Sequence, residues 1–510
     1  MLLLTNLSRS FRVVVVGTAV LANALAASAQ VSVEVLHEFG GSGDGSYLLA
    51  PLVQATDGNF YGTATKGGPS NLGTIFKMTP FGTVSVLHAF SNDGNGGWPT
   101  APLIQATDGN LYGTTIFGSG TTIFGGTAFR MTPSGDMHVL HTFGGSADGS
   151  APVAPLVQAT DGNFYGTTYY YGNSGGTVFR MTPGGAENVL HLFTPGSSGD
   201  GDPPAAPLIQ ATDGNFYGTT KQGGTFNNGS IFRMTPGGTF SVLHIFTGSS
   251  DGGSPEAALI QATDGNFYGT THFGGLHAGS FGGGTIFKMT PDGTVTTLHT
   301  FTNGLDGGFS TAPLIQASDG NFYGTTSAGG EFDQGTVFKM TPGGVVTTLH
   351  AFGSSPTDGA NPMAGLVEGS DGILYGTTSA GGSFSGGTVF RVDTFLRCRD
   401  TLSLSYVAGT LHIGFTLRSP GPATWSTWAF SSFGVVNLWS VEIPAALPEV
   451  SFDVPIPGFP AIGPLGIVTT LSTKQGATCF DWNVVYTGGG ASAQSVQPPR
   501  GLLVPMRPVR

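Results

Sequence analysis

The phrase Gln-Ala-Thr-Asp-Gly-Asn-Phe-Tyr-Gly recurs with small changes along the chain and places its aspartate at Asp57, Asp108, Asp161, Asp213, Asp264, Asp319 and Asp371. The spacings are 51, 53, 52, 51, 55 and 52 residues. A period near fifty means one supersecondary unit used repeatedly, in the size range of a propeller blade. In the sixth copy, residues 313–317 read as strand A and Asp319-Gly320 as a two-residue hairpin turn needing positive φ. Residues 321–326 read as strand B, 336–341 as strand C, and 345–352 as strand D after Pro342-Gly343-Gly344 turns the chain. Four strands of this length make one propeller blade.

The ends of the repeat predict how it closes. The strand D phrase Leu-His-x-Phe begins at Leu36, Leu87, Leu140, Leu190, Leu243, Leu298 and Leu349, so its first copy precedes any strand A. The last unit stops after its strand C, Thr388-Val389-Phe390-Arg391, and lacks a strand D of its own. Residues 31–39 are therefore expected to pair as the outer strand of the last blade, closing a seven-bladed ring.

Composition excludes the alternatives. With 85 Gly and 32 Pro in 510 residues the chain cannot be rich in helix. At 9% charged and 39% hydrophobic it is too apolar for a disordered chain, and the apolar residues are too evenly interrupted for several membrane spans. A net charge of -12 disfavours nucleic acid as a partner. Near the start, Arg9 and Arg12 precede the apolar run from Val13 to Leu21, and Ala27-Ser28-Ala29 follows; this reads as a cleaved export signal over residues 1–29, with no membrane span in the mature chain. The chain's two cysteines, Cys398 and Cys479, are expected to join in an exported protein.

The tandem Asp-Gly-Asn-Phe-Tyr-Gly-Thr-Thr, followed by Gly-Thr-Ile-Phe-Lys-Met-Thr-Pro and Leu-His-x-Phe, resembles the GloVer repeat of bacterial "choice-of-anchor" exported proteins over roughly residues 31–393. The resemblance implies an exported, secreted or surface-associated, propeller-like protein. It carries over no catalytic residues.

Most recurring polar residues read as structural. His37, His88, His141, His191, His244, His299 and His350 sit at one position of strand D, on the circumference, where neighbouring copies stand too far apart to share a metal ion. The strand C bases Lys77, Arg130, Arg180, Arg233, Lys288, Lys339 and Arg391 are expected to pair with an Asp of their own or a neighbouring blade. Tyr61 and its six equivalents fill the space between stacked sheets. A second Asp-Gly series, Asp44, Asp148, Asp200, Asp251, Asp306 and Asp358, with Asn95 in the remaining place, lies in the loops joining blades. One carboxylate per loop is a weak basis for calcium and fits an Asp capping its own backbone amides, so no cofactor is expected.

Function is expected where the repeat breaks. D-to-A and B-to-C connections emerge on one face of a propeller, and the B-to-C loops are the irregular ones. They supply the candidate ligand-binding residues Lys66, Phe117, Tyr169, Tyr170, Tyr171, Lys221, Phe226, His272, Phe273 and Phe332, with Trp98 from a D-to-A loop. Aromatics beside few charges suit a saccharide or a protein partner. Glu331 and Asp333 beside His272 form the one weak catalytic candidate. No P-loop, nucleophile elbow, dinucleotide fingerprint or zinc-helix motif is present. Residues 394–487 alternate with period two and predict a small β-sandwich-like domain stapled by Cys398 and Cys479; residues 488–510 read as a disordered tail. The favoured reading is an exported non-catalytic propeller, residues 30–393, binding an extracellular carbohydrate or protein on its variable-loop face. A secreted polysaccharide hydrolase or lyase is the alternative.

Overall fold

A computed structural model describes residues 32–393, apart from short stretches at 42, 92, 119–124, 145–147, 171–174, 195–199, 202, 205 and 276–281. Beyond 393 it describes the backbone of seven strands between Ser403 and Thr487. Residues 1–29, read above as an export signal, Cys398, Tyr171 and residues 488–510 lie outside the described residues, as does the side chain of Cys479.

Residues 32–393 form a seven-bladed β-propeller, each blade a four-stranded antiparallel sheet. In the first blade strand A is Val53–Gln54, strand B Phe60–Ala64, strand C Thr74–Met78 and strand D Val84–Ala89. The closure expected from the offset repeat is present: Ser32–Glu38 lies beside Thr388–Asp393, with Ser32 opposite Asp393 and Glu38 opposite Thr388. Arg391 therefore meets Glu34 of the closing strand, at 2.6 Å, instead of an aspartate.

Two sets of side-chain hydrogen bonds link successive blades, and the first runs unbroken round the ring. The strand A glutamine of each blade accepts the backbone N–H of the Thr or Ser in the preceding A-to-B turn, from Thr56 to Gln105 through to Ser370 to Gln54; in the seventh blade Glu368 takes this place and receives Ser318. In every blade but the third a strand B threonine hydroxyl donates to an alanine carbonyl of the next blade, ending with Thr377 to Ala50 at 3.1 Å; the third blade's Thr167 hydroxyl is buried without a partner among the described residues. Each such bond contributes roughly 0.5–1.5 kcal/mol, but an unbroken set requires every blade to keep its angle to the next.

The core consists of inter-blade layers. Each cluster joins the Tyr of one blade to the Phe, Leu and Met of its neighbour, as Tyr165 and Val178 do with Phe216, Phe232 and Met234. Tyr165 stacks on Phe216 at 4.1 Å and Tyr217 on Phe267 at 4.2 Å. All seven tyrosines are buried, which obliges each hydroxyl to find a partner. Each donates to the Asp of its own A-to-B turn at 2.8 to 3.0 Å. The strand C lysines, Lys77, Lys288 and Lys339, reach the same carboxylates at 2.8, 2.9 and 3.1 Å.

A β-bulge between strands C and D recurs in blades one to six and at the closing strand, leaving the Leu of Leu-His-x-Phe opposite no partner. The bulge turns that leucine toward the next blade, where Leu36 packs beside Phe76 and Met78. Gly82 of the facing hairpin has φ +87 and a Cβ there would lie 2.5 Å from the Leu36 carbonyl oxygen, so glycine is required.

The strands beyond residue 393 form one three-stranded sheet, from Ser403–Val407, Thr410–Thr416 and Glu449–Pro455, and one four-stranded sheet, from Ala423–Ser431, Gly434–Ile443, Gly463–Thr473 and Thr478–Thr487.

Glu187 departs from the apolar pattern. It opens strand D of the third blade, where Val84, Phe240, Val295 and Val346 open theirs. Its Oε1 is buried with no hydrogen-bond partner among the described residues, and burial, reinforced by Asp148, pushes the carboxyl up to about 7. An acid whose folded pKa is raised favours folding below its ordinary value and loses that advantage as pH climbs to the raised one. Glu187→Gln is therefore expected to flatten a fall in melting temperature that the wild-type chain shows between about pH 4.5 and 7; parallel profiles would exclude this carboxyl as the cause. Tyr268→Phe, which removes the donor to Asp264, is expected to cost about 1 kcal/mol in chemical denaturation.

Candidate functional site

The loops of one face are tied together by the backbone. Isolated bridges join Ser46 to Lys66, Gly97 to Phe117, Ser150 to Tyr170, Gly253 to Phe273 and Gly308 to Ala328, each linking the D-to-A loop entering a blade to that blade's B-to-C loop. These two loop sets therefore share a face, as the strand order requires.

At the centre of each junction stands a residue three positions after the loop Asp or Asn. Tyr47, Trp98, Ala151, Ser254, Phe309 and Asn361 occupy it with φ of 66, 53, 52, 54, 55 and 51°. Each N–H donates backward to a carbonyl in the preceding blade's B-to-C loop, at 2.7 to 2.9 Å; Tyr47 donates to Gly386, Trp98 to Leu72 and Phe309 to Gly283. Each carbonyl accepts forward from its own blade's B-to-C loop, at 3.0 to 3.4 Å. The residue is a clamp between two blades, and its left-handed backbone costs a side chain with a Cβ about 1–2 kcal/mol. Pro203 takes this place in the fourth blade; it accepts from Lys221 N–H but has no N–H to give.

Three of the clamp positions carry aromatic rings. Tyr47 and Trp98 are 44% and 36% exposed, and Phe309 is half-buried. Trp98 meets Phe117 edge to face at 4.2 Å, the Lys66 ammonium sits 4.5 Å from the Tyr47 ring centre, and Phe309 lies 5.4 Å from the His272 ring. Tyr47, Trp98 and Phe309 stand in the first, second and sixth blades, so with Asn361 of the seventh they span four consecutive blades. Tyr47 and Phe309 were not among the residues singled out from sequence, although both share Trp98's offset from the loop Asp or Asn.

Other candidates fall on defined positions. Lys66, Phe117, Tyr170 and Phe273 share the bridging position of the B-to-C loop, and Tyr169, Lys221 and His272 the residue that donates to the clamp or to Pro203. Tyr169 and Tyr170 pack edge to face at 4.8 Å. Phe226 and Phe332 lie at exposed loop tips, 55% and 42% exposed, with Phe384 equivalent in the seventh blade. Those tips belong to a shared seven-residue template, Gly67 to Gly73, Gly223 to Gly229, Gly329 to Gly335 and Gly381 to Gly387, so four of the seven B-to-C loops are regular.

Asp333 is part of that template. It has φ 54° and accepts the Gly329 N–H at 3.0 Å, as Asn71 and Asn227 accept from Gly67 and Gly223. Glu331 is exposed at the same loop tip. The groups that act electrostatically on His272 are instead Glu256 and Lys221, while burial is the largest influence and holds the ring below the ordinary imidazole range. Lys221 Nζ lies 3.0 Å from Glu256 Oε1, and the Ser254 hydroxyl donates to the same oxygen at 3.4 Å. Glu256 was missed because its position holds Leu49, Thr100, Val153, Ala205, Thr311 and Met363 in the other blades, so no repeated acid draws attention to it.

The loop aspartates are committed within the fold. Asp44 accepts His37 Nε2 at 2.7 Å and the Gly40 N–H at 3.1 Å; Asp148, Asp251, Asp306 and Asp358 likewise pair with the strand D histidine and accept backbone amides. Among the described residues no three His, Cys, Asp or Glu stand close enough to hold a metal ion. No described helix is long and apolar enough to cross a membrane.

The structure is similar to several solved proteins at low identity. They include an exo-β-1,3-galactanase from Clostridium thermocellum (13% identity, 80% of this chain and 96% of that one, TM-score 0.31). Sucrose-6-phosphate hydrolase from Lactobacillus gasseri is 11% identical over 87% and 84% of the two chains, with a TM-score of 0.29. Dipeptidyl peptidase 4 from Porphyromonas gingivalis is 9% identical over 73% and 57%, with a TM-score of 0.34. No curated protein sequence matches the chain.

If the clamp residues are strained as their φ angles indicate, Phe309→Gly is expected to be more stable than Phe309→Ala by about 1 kcal/mol, since only glycine adopts φ 55° without a Cβ penalty. Denaturation midpoints for the two variants decide this, and an equal or reversed order would show the backbone to be relaxed. The Gloeobacter/Verrucomicrobia repeat matches twice, over residues 25–212 and 203–404, and the chain belongs to that family.

Proposed function

We propose that the protein is an exported, non-catalytic propeller that binds an extracellular carbohydrate across its loop face. Export rests on Arg9, Arg12, the apolar run after them and Ala27-Ser28-Ala29; a bridge between Cys398 and Cys479 is consistent with that compartment. The observation that carries the reading is the arc of Tyr47, Trp98 and Phe309, three rings on the backbone clamps of the first, second and sixth blades, with Asn361 between them in the seventh. A residue with no task at such a position would be small, as Ala151 and Ser254 are. Rings that are flat, partly exposed and mounted on a fixed backbone offer apolar faces to a sugar at reduced entropic cost.

Hydrolysis of a polysaccharide ordinarily uses two carboxyl groups flanking the bond. Among the described residues the carboxylate acting on His272 is Glu256 alone, and it is already paired with Lys221. This favours binding over turnover. The test is a glycan array of the mature protein followed by calorimetry with Trp98→Ala and Tyr47→Ala. Each is expected to weaken binding about tenfold, the loss of about 1.4 kcal/mol. A blank array with cleavage of a polysaccharide would overturn the proposal.

A further inference from the structure

The ion pair of Lys221 and Glu256 belongs neither to the repeated His–Asp and Lys–Asp sets nor to ring closure. It joins the B-to-C loop of the fourth blade to the D-to-A loop of the fifth, at a junction that the Ser254 clamp already ties through the backbone. Both partners are partly open, with 33% and 21% of their side chains exposed. His272 stands beside them with its Nδ1 buried and without a hydrogen-bond partner among the described residues, and the Phe309 ring lies next to His272.

We propose that this junction is the orienting subsite for one residue of a neutral sugar, gripping two adjacent hydroxyls between Glu256 and Lys221 with the Phe309 ring alongside. The inference rests on the carbohydrate reading above and narrows it to a ligand class. Glu256 Oε1 is shared by Lys221 and Ser254, which leaves Oε2 to accept from one hydroxyl; the ammonium keeps further N–H groups to donate to a second. A neutral diol can bridge the two while their mutual contact persists. An anionic ligand would have to draw Lys221 from Glu256, and a cationic one would have to draw Glu256 from Lys221. Either leaves a half-desolvated charge without its partner, which costs more than the exchange returns. Hydrogen bonds to charged groups are also the stronger kind, and give a hydroxyl pair its orientation.

The experiment measures binding of the mature chain to soluble neutral polysaccharides (laminarin, xylan, galactan and mannan), to polygalacturonate and to chitosan, in wild type, Glu256→Gln, Lys221→Met and Trp98→Ala. Binding to a neutral polymer, weakened about tenfold or more by each of the three substitutions, is the expected result. Should Trp98→Ala weaken binding while both pair substitutions leave it unchanged, the subsite is wrong and the aromatic arc stands. Preference for polygalacturonate or chitosan overturns the ligand class, and failure of every polymer to bind overturns the carbohydrate reading itself. If the pair variants do not fold, wild type still decides: affinity for the neutral polymer is expected to be unchanged between about 0.05 and 0.5 M salt, whereas a ligand held by its charge would weaken steeply.

Discussion

Ring closure is the constraint on which the rest of this structure depends. Ser32–Glu38 pairs with Thr388–Asp393, contributing the outer strand of a blade whose other three strands come from the opposite end of the propeller sequence. Without it the third strand of that blade would present an open edge, and Leu36 and Val33 would be missing from the two inter-blade clusters they complete. The glutamine and threonine bonds between blades then add a geometric condition to the topological one. Ser370 to Gln54 and Thr377 to Ala50 form only if seven inter-blade rotations sum to a full turn. Small errors at each blade would accumulate at that seam, so the recurrent packing of each tyrosine on the Phe or Leu of the next blade serves closure as much as burial.

A closed ring can hold strained residues that an open array could not. Each clamp residue is bonded backward to one blade and forward to the next, so relaxing its φ would break two backbone bonds and shift a loop on either side. The cost of a left-handed Tyr, Trp or Phe is thereby offset by interactions the side chain takes no part in. The consequence reaches the face of the molecule. Side chains that begin at these positions inherit the rigidity of the ring, and their rings need little further ordering when a ligand arrives.

Much of the architecture was legible because the repeat compares the chain with itself. Seven copies of one phrase gave the blade, and the displaced Leu36-His37-x-Phe39 gave the closing strand. The role of the tyrosines between sheets was readable from their position after an Asp-Gly turn. What repetition hides is the backbone. Trp98 stood out by residue type, whereas Tyr47 and Phe309 gained significance only when their φ angles and shared offset were known. Irregularity misled in the opposite direction at Asp333, whose surrounding loop looked unusual but follows the template of Asn71 and Asn227, with the carboxylate standing in for an amide oxygen. Glu256 escaped notice because a lone acid at an otherwise uncharged position has no pattern; its partner lies 35 residues earlier, in another blade.

The fourth blade shows how one substitution alters what a junction can do. Proline at 203 cannot donate an N–H and cannot take positive φ, so the clamp that ties the other described junctions is absent from that blade's entry. The next junction, between the fourth and fifth blades, carries both a complete clamp at Ser254 and the Lys221–Glu256 pair beyond it. Lys221 is the same residue whose N–H is received by the Pro203 carbonyl, so its loop is tied by the backbone to its own blade's entry and by its side chain to the next. An ion pair so largely withdrawn from water gains little net stability once the cost of desolvating both charges is counted. Its place beside His272 and Phe309, at a point where the repeat supplies neither charge, is therefore better explained by what it can hold than by what it holds together.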